Sequence, residues 1–256
     1  MSKKDASWEK IFDDYDIRNH NFSETPFLIT ARQIKDACQD FTETGQKEVR
    51  ILCKQDSRDD RPQVFIDRNL FLLPIKNGQY FIVEGEGYVD IPEINTPIKT
   101  YHSKLDYRLD TSLIGDSEMQ HLDFAYASSL IRNFMDDQSL VLTIRGRKYT
   151  PEFSFMVGSQ NLKTKSVQTE VDAGYEGKDK VVLIEAKNSN VKNTIIRQLY
   201  YPFRQWQTYT DKSVYTLFFE KNDDIYSIWQ FAFDDVNDYN SIRLVKSSKY
   251  RIINDK

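Results

Sequence analysis

Two neighbouring stretches decide how this chain reads: Glu170-Val171-Asp172-Ala173-Gly174-Tyr175 and, after a short gap, Val181-Val182-Leu183-Ile184-Glu185-Ala186-Lys187. Four consecutive apolar β-formers, Val181 to Ile184, describe a strand buried on both faces. Such a strand ordinarily runs into a turn, whereas this one ends in a carboxylate and an ammonium two residues apart. Side chains alternate along a strand, so Glu185 and Lys187 share one face while Ile184 and Ala186 share the other. Glu170 and Asp172 likewise share a face of the preceding strand, with residues 174–180 expected as a turn. A hairpin between the strands sets Asp172 beside Glu185, with Glu170 as its substitute if the register differs. Two adjacent carboxylates repel each other unless a cation lies between them.

Oxygen donors of this kind suit Mg²⁺, with Mn²⁺ as a substitute. The expected ligands are the carboxylates of Asp172 and Glu185 and the carbonyl of Ala186, completed by substrate phosphate and water. Lys187 is placed to orient that water or to stabilise developing negative charge. The reaction expected of Asp172, Glu185 and Lys187 is in-line hydrolysis of a phosphodiester. A surface hairpin carrying Glu–Lys pairs is the plain alternative. It weakens because the pair ends a wholly apolar strand and follows an acid at the end of a neighbouring one.

Working outward, residues 117–135 have helical spacing, with Met119, Leu122, Ala125, Tyr126, Leu130 and Phe134 near one face. Residues 140–144 read as a strand ended by Arg145-Gly146-Arg147, and residues 153–157 as another. Residues 193–209 are amphipathic, with Pro202 as a point where the helix can kink. Residues 214–219 and 225–233 close as two strands around Asn222-Asp223-Asp224. This order predicts an α/β (α+β) protein in which a mixed β-sheet is flanked by helices.

The first hundred residues read as a separate α+β region. Helices are expected over residues 8–15 and 30–41, the second capped by Thr30, and a short strand over residues 49–53. Residues 70–75 and 80–83 around Asn77-Gly78 read as a hairpin with a type I′ turn. Helices followed by a hairpin can form a winged-helix-like unit that reads DNA, or an ordinary scaffold. Pro92 and Pro97 mark a loop, which sets the expected domains at 1–100 and 101–256.

Composition narrows the field. A hydrophobic share of 39% and an aromatic share of 13% fit a packed globular chain, not a disordered one. No run approaches the roughly 20 apolar residues that cross a bilayer. The leading Met1-Ser2-Lys3-Lys4 has no apolar stretch behind it, so no secretory signal is expected. Cys38 and Cys53 make no disulfide framework, and His20, His102 and His121 are too scattered for zinc spacing. The expected location is cytoplasmic, with no membrane partner. A net charge of −4 argues against non-specific coating of nucleic acid but leaves room for local basic surfaces. Residues 140–165 and 241–256 are two such stretches, the first carrying Arg145, Arg147 and Lys148.

The order helix, strand, strand with Asp172, strand with Glu185-x-Lys187, helix, strand resembles the core of the PD-(D/E)XK nucleases. More narrowly, the chain resembles certain bacterial type II restriction endonucleases. That likeness lies in residues 49–56 (Val-Arg-Ile-Leu-Cys-Lys-Gln-Asp), Leu73-Pro74-Ile75, residues 143–147 (Thr-Ile-Arg-Gly-Arg) and residues 196–204 (Ile-Arg-Gln-Leu-Tyr-Tyr-Pro-Phe-Arg). One departure stands out: Val171, not proline, precedes Asp172. The resemblance implies cleavage of double-stranded DNA at specific sites by a homodimer, with a companion DNA methyltransferase in the host. It also implies supporting roles for an acid on the first helix, Glu118, and for Gln198 on the helix after Lys187. Phosphate contacts are implied for Arg197 or Arg204. A helix-start glutamate favoured by the macrodipole is the simpler reading of Glu118, and a solvated helix face that of the other three. Arg145, Arg147 and Lys148 would touch phosphates or guanine edges. The same fold also serves structure-specific repair or recombination nucleases and non-catalytic DNA-binding proteins.

Overall fold

The computed structural model describes residues 4–188 and 190–254. Met1, Ser2 and Lys3, and the Asp255 and Lys256 of the C-terminal basic stretch, lie outside the described residues. The chain opens with α1 (Asp5–Asp14), whose Trp8, Ile11 and Phe12 are fully buried at helical spacing. Then come β1 (Phe27–Thr30) and α2 (Ala31–Ala37). Thr30 caps α2: its hydroxyl accepts from the Gln33 N–H at 3.2 Å, and the Gln33 side chain accepts from the Thr30 N–H at 2.9 Å. Three short helices follow, α3 (Thr44–Lys47), α4 (Val49–Leu52) and α5 (Gln63–Asp67). The expected strand at residues 49–53 is therefore a helical turn. A short apolar run does not distinguish the two periods, and Leu52 alone of α4 is fully buried.

The hairpin pairs β2 (Leu70–Lys76) with β3 (Gln79–Glu84), and β1 pairs with the other edge of β3. Only Gly78 of the turn takes a positive φ, +73°, so the turn is not type I′; a register shift between Pro74 and Lys76 absorbs the difference. This small sheet is apolar on both faces. Leu70, Leu72 and Ile82 face the N-terminal core with Trp8, Phe12 and Phe65. Phe71, Leu73 and Val83 face the opposite way, into a core shared with the second half of the chain.

The second half begins with β4 (Tyr88–Asp90) and β5 (Lys99–His102), followed by α6 (Glu118–Ala127) and α7 (Leu130–Phe134). The single helix expected over residues 117–135 is thus two, broken where Ser129 adopts φ 68°. Strands β6 (Val141–Tyr149), β7 (Phe153–Val157), β8 (Gln160–Thr164), β9 (Gln168–Glu176) and β10 (Lys180–Lys187) come next. The chain closes with β11 (Asn193–Ile195), α8 (Arg197–Gln207), β12 (Ser213–Asn222), β13 (Ile225–Phe233) and β14 (Ile242–Ile253).

Among the described residues the large sheet has seven strands in the order β5-β14-β13-β12-β10-β9-β6. β10 runs parallel to β12 across the α8 crossover and antiparallel to β9, so the sheet is mixed. Its two faces carry helices. Val182, Ile184 and Ala186 of β10 pack with Leu122, Ala125 and Leu130 of α6 and α7. Val181 and Leu183 face the other way, toward Trp206 of α8.

Several expected boundaries change for physical reasons. β6 does not end at Arg145-Gly146-Arg147 but runs through it to Tyr149, with register shifts on either side of Ile144. Gly174, Tyr175 and Glu176 belong to β9, leaving Gly177, Lys178 and Asp179 as the turn. Gly174 lies here because of space: a Cβ on it would stand 2.6 Å from the Ile144 Cβ. Residues 193–195, expected as helix, instead pair with β4. β8 and β14 were not anticipated from the pattern, and β14 carries much of the second basic stretch. No helix among the described residues is long and apolar enough to cross a membrane.

Candidate active site

The site is built where the β9–β10 ladder ends. Pairing runs from Val181 opposite Glu176 to Ile184 opposite Ala173 and then stops. On the far side of β9, Gly146 lies opposite Val171 while Ile144 lies opposite Gly174, so β9 carries an extra residue around Asp172 and Ala173. A bulge of this kind re-aims side chains. Beyond it, among the described residues, the Ala186 and Asn188 N–H groups have no backbone partner on β9. Two carboxylates replace it. Asp172 Oδ2 accepts from the Ala186 N–H at 2.8 Å, and Glu118 Oε1 accepts from the Asn188 N–H at 3.2 Å. The N–H and C=O of one strand residue point to the same side, so the Ala186 carbonyl also faces beyond the end of the ladder.

Glu185 and Lys187 project from the α8 face of β10. The Lys187 ammonium donates to Glu185 Oε1 at 2.6 Å, and the Glu185 side chain is only 10% exposed. Burial, reinforced by the charge of Asp172, pushes the Glu185 carboxyl up to about 7 against the pull of Lys187. Burial also raises Asp172, although the Ala186 N–H and Lys187 oppose it and the charges of Glu118 and Glu170 add to it. For Lys187, burial acts downward, but Glu185, Asp172 and Glu118 outweigh it and hold the ammonium above its ordinary range. The three acids and the lysine form one electrostatic unit. Among the described residues no group of three or more His, Cys, Asp or Glu is arranged to hold a metal ion unaided.

This unit forms part of the floor of a cleft of about 1060 Å³ lying between the N-terminal region and the large sheet. Asp172, Glu185, Lys187, Glu118, Glu170, Arg197 and Gln198 all line it. Glu118 stands at the start of α6, whose Ser117 cap accepts from the Gln120 N–H at 3.1 Å. Glu170 does not substitute for Asp172 at the strand end; its carboxylate takes the Arg147 guanidinium at 3.3 Å. Gln198 accepts from the Thr194 hydroxyl at 2.6 Å, which fixes its amide at the start of α8.

The basic residues separate. Arg197 reaches Asp56 at 3.8 Å from within the cleft. Arg204 does not line it: its guanidinium donates to Tyr200, Ser154 and Val236 and lies over the Phe153 ring. Arg145 is paired with Asp123, Arg147 with Glu170, and exposed Lys148 sits on the same edge strand outside the cleft.

Sequence reasoning passed over Asp56, which comes from the N-terminal region. Its carbonyl accepts from the Ile195 N–H at 2.9 Å, and its charge is felt by Glu185. The only local signal was its place at the end of the Val49–Asp56 stretch.

A family model described as a domain of unknown function, DUF6997, matches residues 83–251, and the chain belongs to that family. A second, described as a domain of unknown function, DUF6996, matches residues 5–82. No curated protein and no solved structure matches the chain.

Proposed function

We propose that this protein is a Mg²⁺-dependent, site-specific deoxyribonuclease of the type II restriction kind, built on a PD-(D/E)XK core. One observation carries the reading. Asp172 and the Glu185-x-Lys187 pair converge at the interrupted end of two central strands, on the floor of an open cleft. The succession α6, β6, β9, β10, α8, β12 supports the same core. A scaffold has no need of a buried carboxylate whose pKa is raised by burial and by the charge of a second acid beside it.

The donor set fits a hard divalent cation: two mutually repelling carboxylates, Asp172 and Glu185, beside the outward-facing carbonyl of Ala186. Mn²⁺ shares these preferences. When bound, such an ion lowers the pKa of water and neutralises charge on a phosphate. The chain's own groups do the rest. Lys187, kept protonated by its acidic neighbours, orients the attacking water and stabilises the charge that grows on the phosphoryl oxygens. Glu118 holds the Asn188 N–H and so fixes the backbone immediately after Lys187. Gln198 and Arg197, at the start of α8, offer polar contacts to the same phosphate. Water adds to phosphorus as one ester P–O bond breaks, the departing oxygen leaving with a proton.

A restriction role further entails a homodimer on a twofold site in double-stranded DNA, a cytoplasmic setting and a companion methyltransferase. The test is digestion of a sequenced viral DNA. With Mg²⁺ or Mn²⁺ the protein should give discrete fragments, and EDTA should stop cleavage. Asp172→Ala, Glu185→Ala and Lys187→Ala should each abolish cutting while leaving DNA binding measurable. Undiminished cleavage by any of the three variants would sink the assignment.

A further inference from the structure

We propose that the N-terminal wall of the cleft is a phosphodiester-binding surface, with Arg50, Lys54 and Lys76 holding the DNA backbone beside the cleavage site. The inference rests on the nuclease reading and adds to it the surface that brings a polyanion to an acidic floor.

The cleft is electrically divided. Its floor carries Asp172, Glu185, Glu118 and Glu170 against Lys187 and Arg197, an excess of negative charge. A phosphodiester backbone is repelled by such a surface unless cations compensate from elsewhere in the cleft. The opposite wall supplies them. Arg50 projects from α4, Lys54 from the loop after it, and Lys76 from the end of β2, all three exposed and all lining the cleft. Their supports are fixed. Leu52 of α4 and Leu72 of β2 are buried in the same N-terminal core.

Two of the three charges on that wall are unpaired: Arg50 and Lys76 form no ion pair among the described residues. Lys54 meets Asp56 at 3.6 Å, and Asp56 is shared with Arg197 on the floor. Asp56 therefore marks the line where wall and floor join. The basic residues of β6 differ: Arg145 and Arg147 are matched by Asp123 and Glu170 and lie outside the cleft.

The proposal is tested by fluorescence anisotropy with a labelled random-sequence duplex of about 30 base pairs, in EDTA so that no cleavage occurs. Wild type, Arg50→Ala/Lys54→Ala/Lys76→Ala and a charge-matched control, Arg243→Ala/Lys249→Ala/Arg251→Ala on β14, are titrated from 50 to 300 mM NaCl. Thermal unfolding of each checks that the fold is kept. Removing one phosphate-neutralising side chain makes the slope of log K against log salt shallower by about 0.9, and removing all three by about 2.7. Binding by the wall variant at 0.1 M salt should weaken by at least about tenfold, with the control near wild type. An unchanged slope and affinity in the wall variant, or an equal loss in the control, overturns the inference while the nuclease reading stands. Absence of duplex binding by wild type overturns the inference, whereas the nuclease reading falls only if the Mg²⁺ digestion also gives no cleavage.

Discussion

The two ends of β10 carry a lysine each, and the difference between them is instructive. At the first end, Lys180 lies in an intact ladder, 3.8 Å from Asp137, with its ammonium donating to the Met135 carbonyl at 3.4 Å. Backbone groups there find backbone partners, and the ion pair is an ordinary accessory. At the last end the antiparallel ladder has stopped, and Lys187 is surrounded by three acids while two side-chain carboxylates hold the main chain. On the proposed reading, the same strand is scaffold at one end and chemistry at the other. What separates them is the bulge in β9, which replaces backbone pairing with carboxylates.

The comparison breaks most visibly in catalysis. Lys187→Ala should lower the rate of plasmid cleavage by a factor on the order of 10²–10³ or more, the scale of losing one positioned charge stabiliser. Lys180→Ala should cut within about twofold of wild type, since Lys180 lies at the other end of the strand and does not line the cleft. Equal losses in the two variants would mean that the ends are not different in kind.

Next in size is the pH dependence of stability in the metal-free protein. Glu185 has its folded-state pKa raised to about 7 from an ordinary value of 4.5. Below pH 4.5 it is protonated in both states. As pH rises toward 7 the unfolded chain loses a proton that the folded one retains, so this group's contribution to stability falls by roughly 3 kcal/mol and then levels. Denaturant unfolding from pH 4.5 to 8 should show that decline in wild type and a flatter profile in Glu185→Gln. Parallel profiles would remove the unusual electrostatics from the site.

Within the intact ladder, Gly174→Ala should cost about 1–3 kcal/mol, because the added methyl meets the Ile144 Cβ at 2.6 Å. The readout is a lowered denaturation midpoint. The smallest effect concerns the approach to the Lys187 end. Ser117→Ala removes the cap that accepts from the Gln120 N–H and should destabilise α6 by about 1 kcal/mol, read from the same unfolding curves. Its effect on cleavage should be modest, acting through the placement of Glu118.

Much of this contrast was legible in the chain because it is local. The run Val181 to Ile184 and the Glu185-x-Lys187 alternation fixed a buried strand and the face of its charges, and the hairpin at residues 70–83 and the Thr30 cap declared themselves likewise. What failed was set by distant partners. Residues 193–195 look helical until β4 offers them an edge, and residues 49–53 lack the length to show a period. β14 escaped notice because its apolar positions are diluted by lysine, arginine and serine. Its strand character comes from pairing with β13 and β5. Asp56 could not be placed at the site from sequence, since it reaches Glu185 and Arg197 only through the packing of one region on the other.

That packing has a consequence for how DNA would be discriminated. Phe71, Leu73 and Val83 share one core with Phe155, Tyr200, Tyr201 and Tyr239. The Tyr201 hydroxyl donates to the Pro74 carbonyl at 3.0 Å, and the Tyr239 hydroxyl joins the Gly87 carbonyl to the Arg197 N–H. The walls of the cleft are thus parts of one continuous interior, which resists hinged opening. On the nuclease reading, a duplex entering such a groove would have to do the bending itself. Part of its selectivity would then come from how readily a given base-pair step deforms, at positions that no side chain touches.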